Sequence, residues 1–252
     1  MALAQYPWQE VQAKCLLDLK EALPNALLLY GPRGIGTFDL AHAFSQSLLC
    51  EAPKPDGTPC GTCRACRLFK AFTHPDIRYL VSEAEALPRD IPFIPPENST
   101  AARKNLYREI LIHQTRALTD FLTLKSHEGG RRVVLVYPAD KIRTEAAASL
   151  LKSIEEPPEG LVFILVADEI DRVLPTIRSR CRLIRATPPR REEALSWLRS
   201  QNVKDPEHAL EVAGGMPLSV FEVDERLILS PEEEEQFIAL LLKGSNADAD
   251  VV

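Results

Sequence analysis

The sequence predicts an α/β fold: a five-stranded parallel sheet covered by helices on both faces. Three observations predict it. Short strand-like runs recur at residues 26–30, 77–81, 133–137, 161–167 and 182–186, and most are too continuously apolar for a sheet with one wet face. Stretches of helical periodicity separate them, which is the pattern of parallel crossovers. The chain has 252 residues and is 45% hydrophobic, enough to bury one sizeable core with a smaller unit beside it.

Taken in order, Val11, Cys15, Leu16, Leu19 and Leu23 mark one face of a first helix. The first strand, residues 26–30, runs into a turn-rich loop with Gly31, Gly34 and Gly36, and a helix is expected over 37–49. A second strand covers 77–81. Pro88, Pro92, Pro95 and Pro96 make residues 86–100 read as a loose, mobile insertion. Ile112, Ala117, Leu118, Phe121 and Leu122 fit one helix. After the third strand, Ala147, Leu150, Leu151 and Ile154 define another, stopped at Glu155-Glu-Pro-Pro158 because proline cannot continue the hydrogen-bond ladder. Beyond the fifth strand, residues 190–201, 206–213 and 217–225 read as three short helices, with Gly214 and Gly215 breaking the second from the third. A last amphipathic helix is expected over 231–243. No internal repeat is visible.

Cys50, Cys60, Cys63 and Cys66 carry the clearest site chemistry. Two CxxC steps share Cys63, and Gly57, Pro59 and Gly61 permit the tight turns needed to gather four thiolates around one zinc. The other readings are disulfides or four unrelated thiols. Neither a leader-like segment nor a membrane-length apolar span is seen, so a cytoplasmic setting is expected, where disulfides rarely persist. Four sulfurs fill a tetrahedral shell, so the metal is expected to be structural. Cys15 and Cys181 read as core residues, and His74, before Pro75, as a turn residue rather than a ligand. His42 is expected to be partly buried and Lys152 solvated.

Gly31, Gly34, Gly36, Thr37 and Phe38 have the frame of a phosphate-binding loop, GxxxxGK[ST], between a strand and a helix. Thr37 stands where the lysine belongs and Phe38 where the magnesium-binding hydroxyl belongs. Tyr137 and Pro138 follow Val133-Val-Leu-Val136 of the third strand, where an active ATPase carries Asp and Glu. Asp140 reads as a solvated loop acid. Two separate halves of the magnesium–ATP machinery are thus missing, and no nucleotide cofactor is expected. The formal charge of −6 argues against a dedicated nucleic-acid binder. Arg103, Lys104, Arg116 and Lys125 remain candidates for a DNA-facing surface.

Together with the cysteine cluster, three stretches carry a resemblance: Thr73-His-Pro-Asp76, Leu150-Leu-Lys-Ser-Ile-Glu-Glu-Pro-Pro158 and Pro175-Thr-Ile-Arg-Ser-Arg-Cys181. The chain resembles the delta-prime family of bacterial DNA polymerase III clamp-loader subunits. The resemblance implies an AAA+ P-loop core over residues 1–186 with a zinc module at about 50–66, a helical lid at 187–226, and at 227–252 only part of a helical collar domain. It implies a subunit that does not hydrolyse ATP within the DNA polymerase III holoenzyme and works in DNA replication. Its implied partners are loader subunits of the gamma/tau and delta types, the sliding clamp and primed DNA, with no membrane. The family keeps a trans-acting arginine in Ser179-Arg180-Cys181, so Arg180 is the candidate finger; read by itself, Arg180 beside Arg178 and Arg182 is a salt-bridged surface arginine. Residues 214–217 lack the nucleotide-sensing arginine that active relatives often place there. The competing readings are an active ATPase with an atypical loop and a zinc-containing DNA-binding module.

Overall fold

A computed structural model describes residues 3–95, 106–123 and 130–222. Its strands are β1 (Ala26–Tyr30), β2 (Ile77–Val81), β3 (Arg132–Tyr137), β4 (Leu161–Ala167) and β5 (Arg182–Arg185). All pair in parallel, in the order β2-β3-β4-β1-β5. The expected α/β fold with five parallel strands therefore stands, each strand within a residue of its expected bounds. The α-helices are α1 (Glu10–Asp18), α2 (Thr37–Leu49), α3 (Arg64–Lys70), α4 (Glu83–Ala86), α5 (Ile112–Arg116), α6 (Thr119–Thr123), α7 (Thr144–Glu155), α8 (Pro175–Arg178), α9 (Arg191–Ser200) and α10 (Pro206–Val212).

The two-residue period of the strands sorts their side chains into two cores. Leu27, Leu29, Val133, Leu135, Ile164 and Val166 pack toward Leu40, Phe44 and Leu48 of α2. Leu28, Val134, Val136, Phe163 and Leu165 pack toward Ala146, Leu150 and Ile154 of α7 and toward Leu118 and Phe121. A third cluster, Ala194, Leu195, Leu198 and Leu210, joins α9 to α10. An aromatic group ties it to the amino-terminal segment: Trp8 stacks on Tyr6 at 5.2 Å and meets Trp197 edge-on at 5.4 Å.

Several local expectations change. Only Leu16 of the expected first-helix face is fully buried; Val11 and Cys15 are exposed. They sit one turn apart on the side of α1 turned away from Ala13 and Leu16, which packing selects as the inner face. Cys15 is therefore not a core residue, whereas Cys181 packs against the α7-side core and burial pushes its thiol up to about 12. The single helix expected around 112–122 is two, α5 and α6. Thr115 and Thr119 donate their hydroxyls to the carbonyls of Ile112 and Arg116 at the break, local bonds that compete with the helical ladder. Ala117 is exposed there.

The insertion expected to be loose from residue 86 is anchored at its start, with Ala86 and Ile91 buried in the core. Its residues 96–100 lie outside the described residues, as do Arg103, Lys104, Lys125, the helix expected over 231–243 and the segment 227–252. The helix expected over 217–225 is, within the described residues, a 3-10 turn at Ser219–Phe221. α10 ends as expected at the glycine pair, where Gly214 and Gly215 donate to the carbonyls of Glu211 and Leu210.

Candidate metal centre and the two ends of strand β1

β1 has a site at each end. At its carboxyl end lies the glycine loop, in the crevice where open parallel sheets hold ligands. At its amino end lies the turn that carries Arg180. The cysteine cluster lies beyond α2, where Cys50 follows the last helical residue in extended conformation.

The four sulfurs lie within 4.8 Å of one another. Cys50 Sγ is 3.6 Å from Cys60 Sγ and 3.9 Å from Cys63 Sγ, and Cys60 Sγ is 4.0 Å from Cys66 Sγ. A tetrahedron with metal–sulfur bonds of about 2.3 Å has edges of about 3.8 Å, whereas a disulfide needs about 2.05 Å. All four cysteines are free thiols. Backbone amides of Cys60, Thr62, Cys63 and Cys66 point at the sulfurs. Those from Thr62 and Cys63 push the Cys60 thiol down to about 6, while burial pushes Cys66 up to about 12. The donor set, spacing and amide bonds fit a thiophilic dication. Lys20 ties the loop to the core by donating to the carbonyls of Ser47 and Gly57, both at 2.9 Å. His74 takes no part: its Nδ1 accepts the Asp76 amide in a turn. His42 is half-buried against Phe69 and Tyr79, as expected, and burial pushes it down to about 4.

The glycine loop is closed. Gly34 and Gly36 have φ of 86° and 78°, conformations that a side chain strains to adopt. A Cβ on Gly34 would overlap Ser219 and Met216, and one on Gly36 would overlap the Tyr6 ring. Trp8 and Gln9 donate to the carbonyl of Ile35, and Leu218 donates to that of Gly34. Phe38 packs on Tyr137 with centroids 5.1 Å apart, and Arg89 lies over both rings. Arg33 bonds Glu85 at 2.6 Å and Glu222 at 3.0 Å. Burial works against the ionised Glu85, but Arg33 and Arg89 outweigh it and hold the carboxyl below its usual range. The remaining cavity is about 50 Å³, far below the several hundred of a typical ligand pocket.

Asp140 corrects the sequence reading. It is buried, not solvated, and accepts the Asp168 amide at 3.0 Å. The short turn after β3 tucks it under the end of β4, a tertiary placement that its loop-like neighbours do not signal. Asp168 itself has no counterpart among the expected site residues. It accepts from the Tyr137 hydroxyl at 3.2 Å, and burial, then the Asp140 charge, push it up to about 6.

The amino end is open. Pro24, Asn25, Ala26, Ile154, Glu155, Ser179, Arg180 and Arg182 line a cleft of about 700 Å³. Arg180 follows α8 and precedes β5, whose first residue Arg182 pairs with Leu27. Its Nε donates to Glu155, and its Nη1 donates to the Thr176 carbonyl at 2.8 Å and to Ser179 Oγ at 3.3 Å. Arg178 pairs instead with Asp171 at 3.6 Å. Arg116 and Lys152 are exposed.

A family model described as DNA polymerase III, delta subunit matches residues 16–190. DNA polymerase III subunit delta′ of Pseudomonas aeruginosa is 37% identical over 218 residues, 85% of this chain and 60% of that protein. The Escherichia coli subunit delta′ is 33% identical over 227 residues, 87% of this chain and 61% of that protein. The chain thus spans about three-fifths of the length of these curated relatives. Among solved structures, a RuvB point mutant from Thermotoga maritima aligns with a TM-score of 0.50 at 14% identity, covering 98% of this chain and 67% of that one, a likeness of fold.

Proposed function

The chain belongs to the DNA polymerase III delta-subunit family, and on that premise we propose that it is the core of a delta-prime-type clamp-loader subunit that does not hydrolyse ATP. It works in the cytoplasm beside subunits of the gamma/tau and delta types, helps load the sliding clamp on primed DNA, and lends Arg180 to a neighbour's ATP site. Cys50, Cys60, Cys63 and Cys66 hold one structural zinc, which supplies a cross-link between the end of α2 and α3 and no open coordination position.

One observation carries the reading: the chain's own nucleotide end is filled with its own side chains, while Arg180 stands in an open cleft at the opposite end of β1. Five strand residues at about 3.3 Å each put roughly 15 Å between the two ends, so Arg180 cannot serve the chain's own loop. A guanidinium offered to a neighbour's γ-phosphate offsets charge in the phosphoryl-transfer transition state. The closed loop speaks against an active ATPase. The all-cysteine cluster and acidic balance speak against a DNA-binding zinc module.

The test is the loader reconstituted with the full-length subunit. Arg180→Ala is expected to lower its ATPase on the order of 10³-fold, and Arg180→Lys to rescue poorly, because an ammonium lacks the planar fork. The isolated subunit is expected neither to hydrolyse ATP nor to bind it tightly, and to co-purify with one zinc. Undiminished loader ATPase with assembly verified would falsify the finger role.

A further inference from the structure

We propose that Glu155 is the positioning residue for Arg180, an inference that rests on the finger role just given. Glu155 is the last residue of α7, directly after the buried Ile154 and just before the Pro157-Pro158 stop, so its backbone is held firmly at the rim of the cleft. A carboxylate there faces the negative end of the helix dipole, the wrong end for its charge, so it does not stabilise α7 itself. Its partner is across the cleft: the Glu155 carboxylate accepts from Arg180 Nε. Thr176 and Ser179 take Nη1 from the α8 side. Two elements that approach each other only through the fold thus hold one guanidinium by two of its three nitrogens. Nη2 has no hydrogen-bond partner among the described residues.

That arrangement suits an arginine that reacts across an interface. A free arginine samples many rotamers and loses that freedom when it meets a phosphate; one already held by its Nε edge loses less and arrives in geometry. The outer Nη2 is the donor left for an anionic oxygen of the neighbour's nucleotide. Glu156, one residue along, carries the same charge but makes no such bond and serves as the control. The pair is largely solvent-exposed, so its direct contribution to folding is small; a purely structural role has little to act on.

The experiment uses the reconstituted loader with ATP as substrate and full-length subunits carrying Glu155→Gln, Glu155→Asp, Glu156→Gln, Arg180→Ala, or Glu155→Gln with Arg180→Ala. Glu155→Gln is expected to lower kcat roughly threefold to tenfold with KM for ATP within about twofold, the signature of a misplaced transition-state contact. Glu155→Asp recovers part of the loss and Glu156→Gln changes nothing. The double variant is no slower than Arg180→Ala alone, because the two residues act as one unit. Melting temperatures within about 2 °C of the unaltered subunit separate positioning from folding. If Arg180→Ala is slow while Glu155→Gln is as fast as wild type or faster, or if the two losses multiply, the positioning role is overturned and the finger role survives. If Arg180→Ala is fully active, both fall together.

Discussion

The two ends of β1 contrast in packing: the carboxyl end is filled and the amino end is open. The carboxyl end is packed shut: Phe38 lies against Tyr137, Arg33 between Glu85 and Glu222, and the 216–219 turn against Gly34. At the amino end a cleft of about 700 Å³ stays open, and an arginine stands at its rim. A site that has lost its ligand can be absorbed into the core, where burial makes each residue answerable to stability. A site that serves another chain must stay exposed, where its residues contribute little to stability. Substitutions at the two ends should therefore separate cleanly into those that change melting and those that change the work of the assembly.

Phe38→Ala is the most damaging change expected at the closed end. The ring is 7% exposed, packs on Tyr137 and lies under Arg89. Truncating a buried phenylalanine costs about 3 kcal/mol or more through lost transfer energy and the cavity left behind, read as a fall of roughly 10 °C in thermal melting. An unchanged melting curve would mean that this end is not core at all. Arg33→Ala should cost less, about 2 kcal/mol, because it leaves the buried Glu85 with Arg89 alone; the lost link to Glu222 is a wet pair and adds little. Hydrogen exchange at the Leu218 amide, bonded to the Gly34 carbonyl at 2.9 Å, should speed up in this variant. Unaltered exchange there would show that the 216–222 turn is held by something other than Arg33.

How much of each end was legible follows from its physics. The strands, the glycine loop and the missing lysine were readable because periodicity and motif spacing are local. The cysteine cluster was readable because ligand spacing is nearly a geometric statement. What filled the closed end was not. Arg89 comes from a proline-rich stretch that reads as a loop, Glu222 from a turn 189 residues after Arg33, and Trp8 and Trp197 from opposite ends of the chain. Asp140 and Asp168 meet only because β3 and β4 are neighbours. Arg132 is fully buried, its guanidinium 5.3 Å from the Phe121 ring and its Nη1 donating to the Phe121 carbonyl, a placement with no counterpart among the expected site residues. Each is a tertiary placement, set by residues far away in sequence, which local pattern cannot signal.

Asp168→Asn tests the closed end in the opposite direction. Burial and the Asp140 charge raise the folded-state Asp168 to about 6, against an ordinary carboxylate near 3.9 when unfolded. Between about pH 4 and 6 the folded chain therefore holds a proton that the unfolded chain has released. This carboxyl's contribution favours folding at the acid end of that window and is lost as pH rises through 6. An asparagine keeps an acceptor for the Tyr137 hydroxyl without the charge. The variant should be more stable than wild type by about 1 kcal/mol at pH 7, allowing for partial solvent screening. The advantage should shrink toward zero by pH 4. Paired denaturant titrations at pH 4, 5, 6 and 7 read the difference directly. A variant less stable than wild type at pH 7 would show that the charge on Asp168 is wanted, through Arg33, and that the closed end is an ion-pair cluster rather than a packed core.

Arg180→Ala is the smallest expected effect on the isolated chain, and it sharpens the comparison most. The guanidinium and Glu155 are 35% and 44% exposed as side chains. A pair this wet is worth about 0.5 kcal/mol or less, because water already solvates both charges and holding two long side chains costs rotamer freedom. The Thr176 carbonyl that loses its Nη1 partner lies in the exposed short helix α8 and still accepts from the Ser179 hydroxyl, and water can take the vacated place. The melting temperature should therefore move by less than about 2 °C. Raising salt from about 0.15 to 0.5 M should erase even that, since screening acts on exposed pairs and spares buried ones. Phe38→Ala, measured alongside, should keep nearly all of its deficit at high salt, because the loss is mainly packing and the Arg89 contact over the ring is a small part of it. A salt-independent loss in Arg180→Ala as large as that of Arg33→Ala would make Arg180 a structural arginine. The amino end of β1 would then be a second packed end, and the chain would have nothing left to lend a neighbour there.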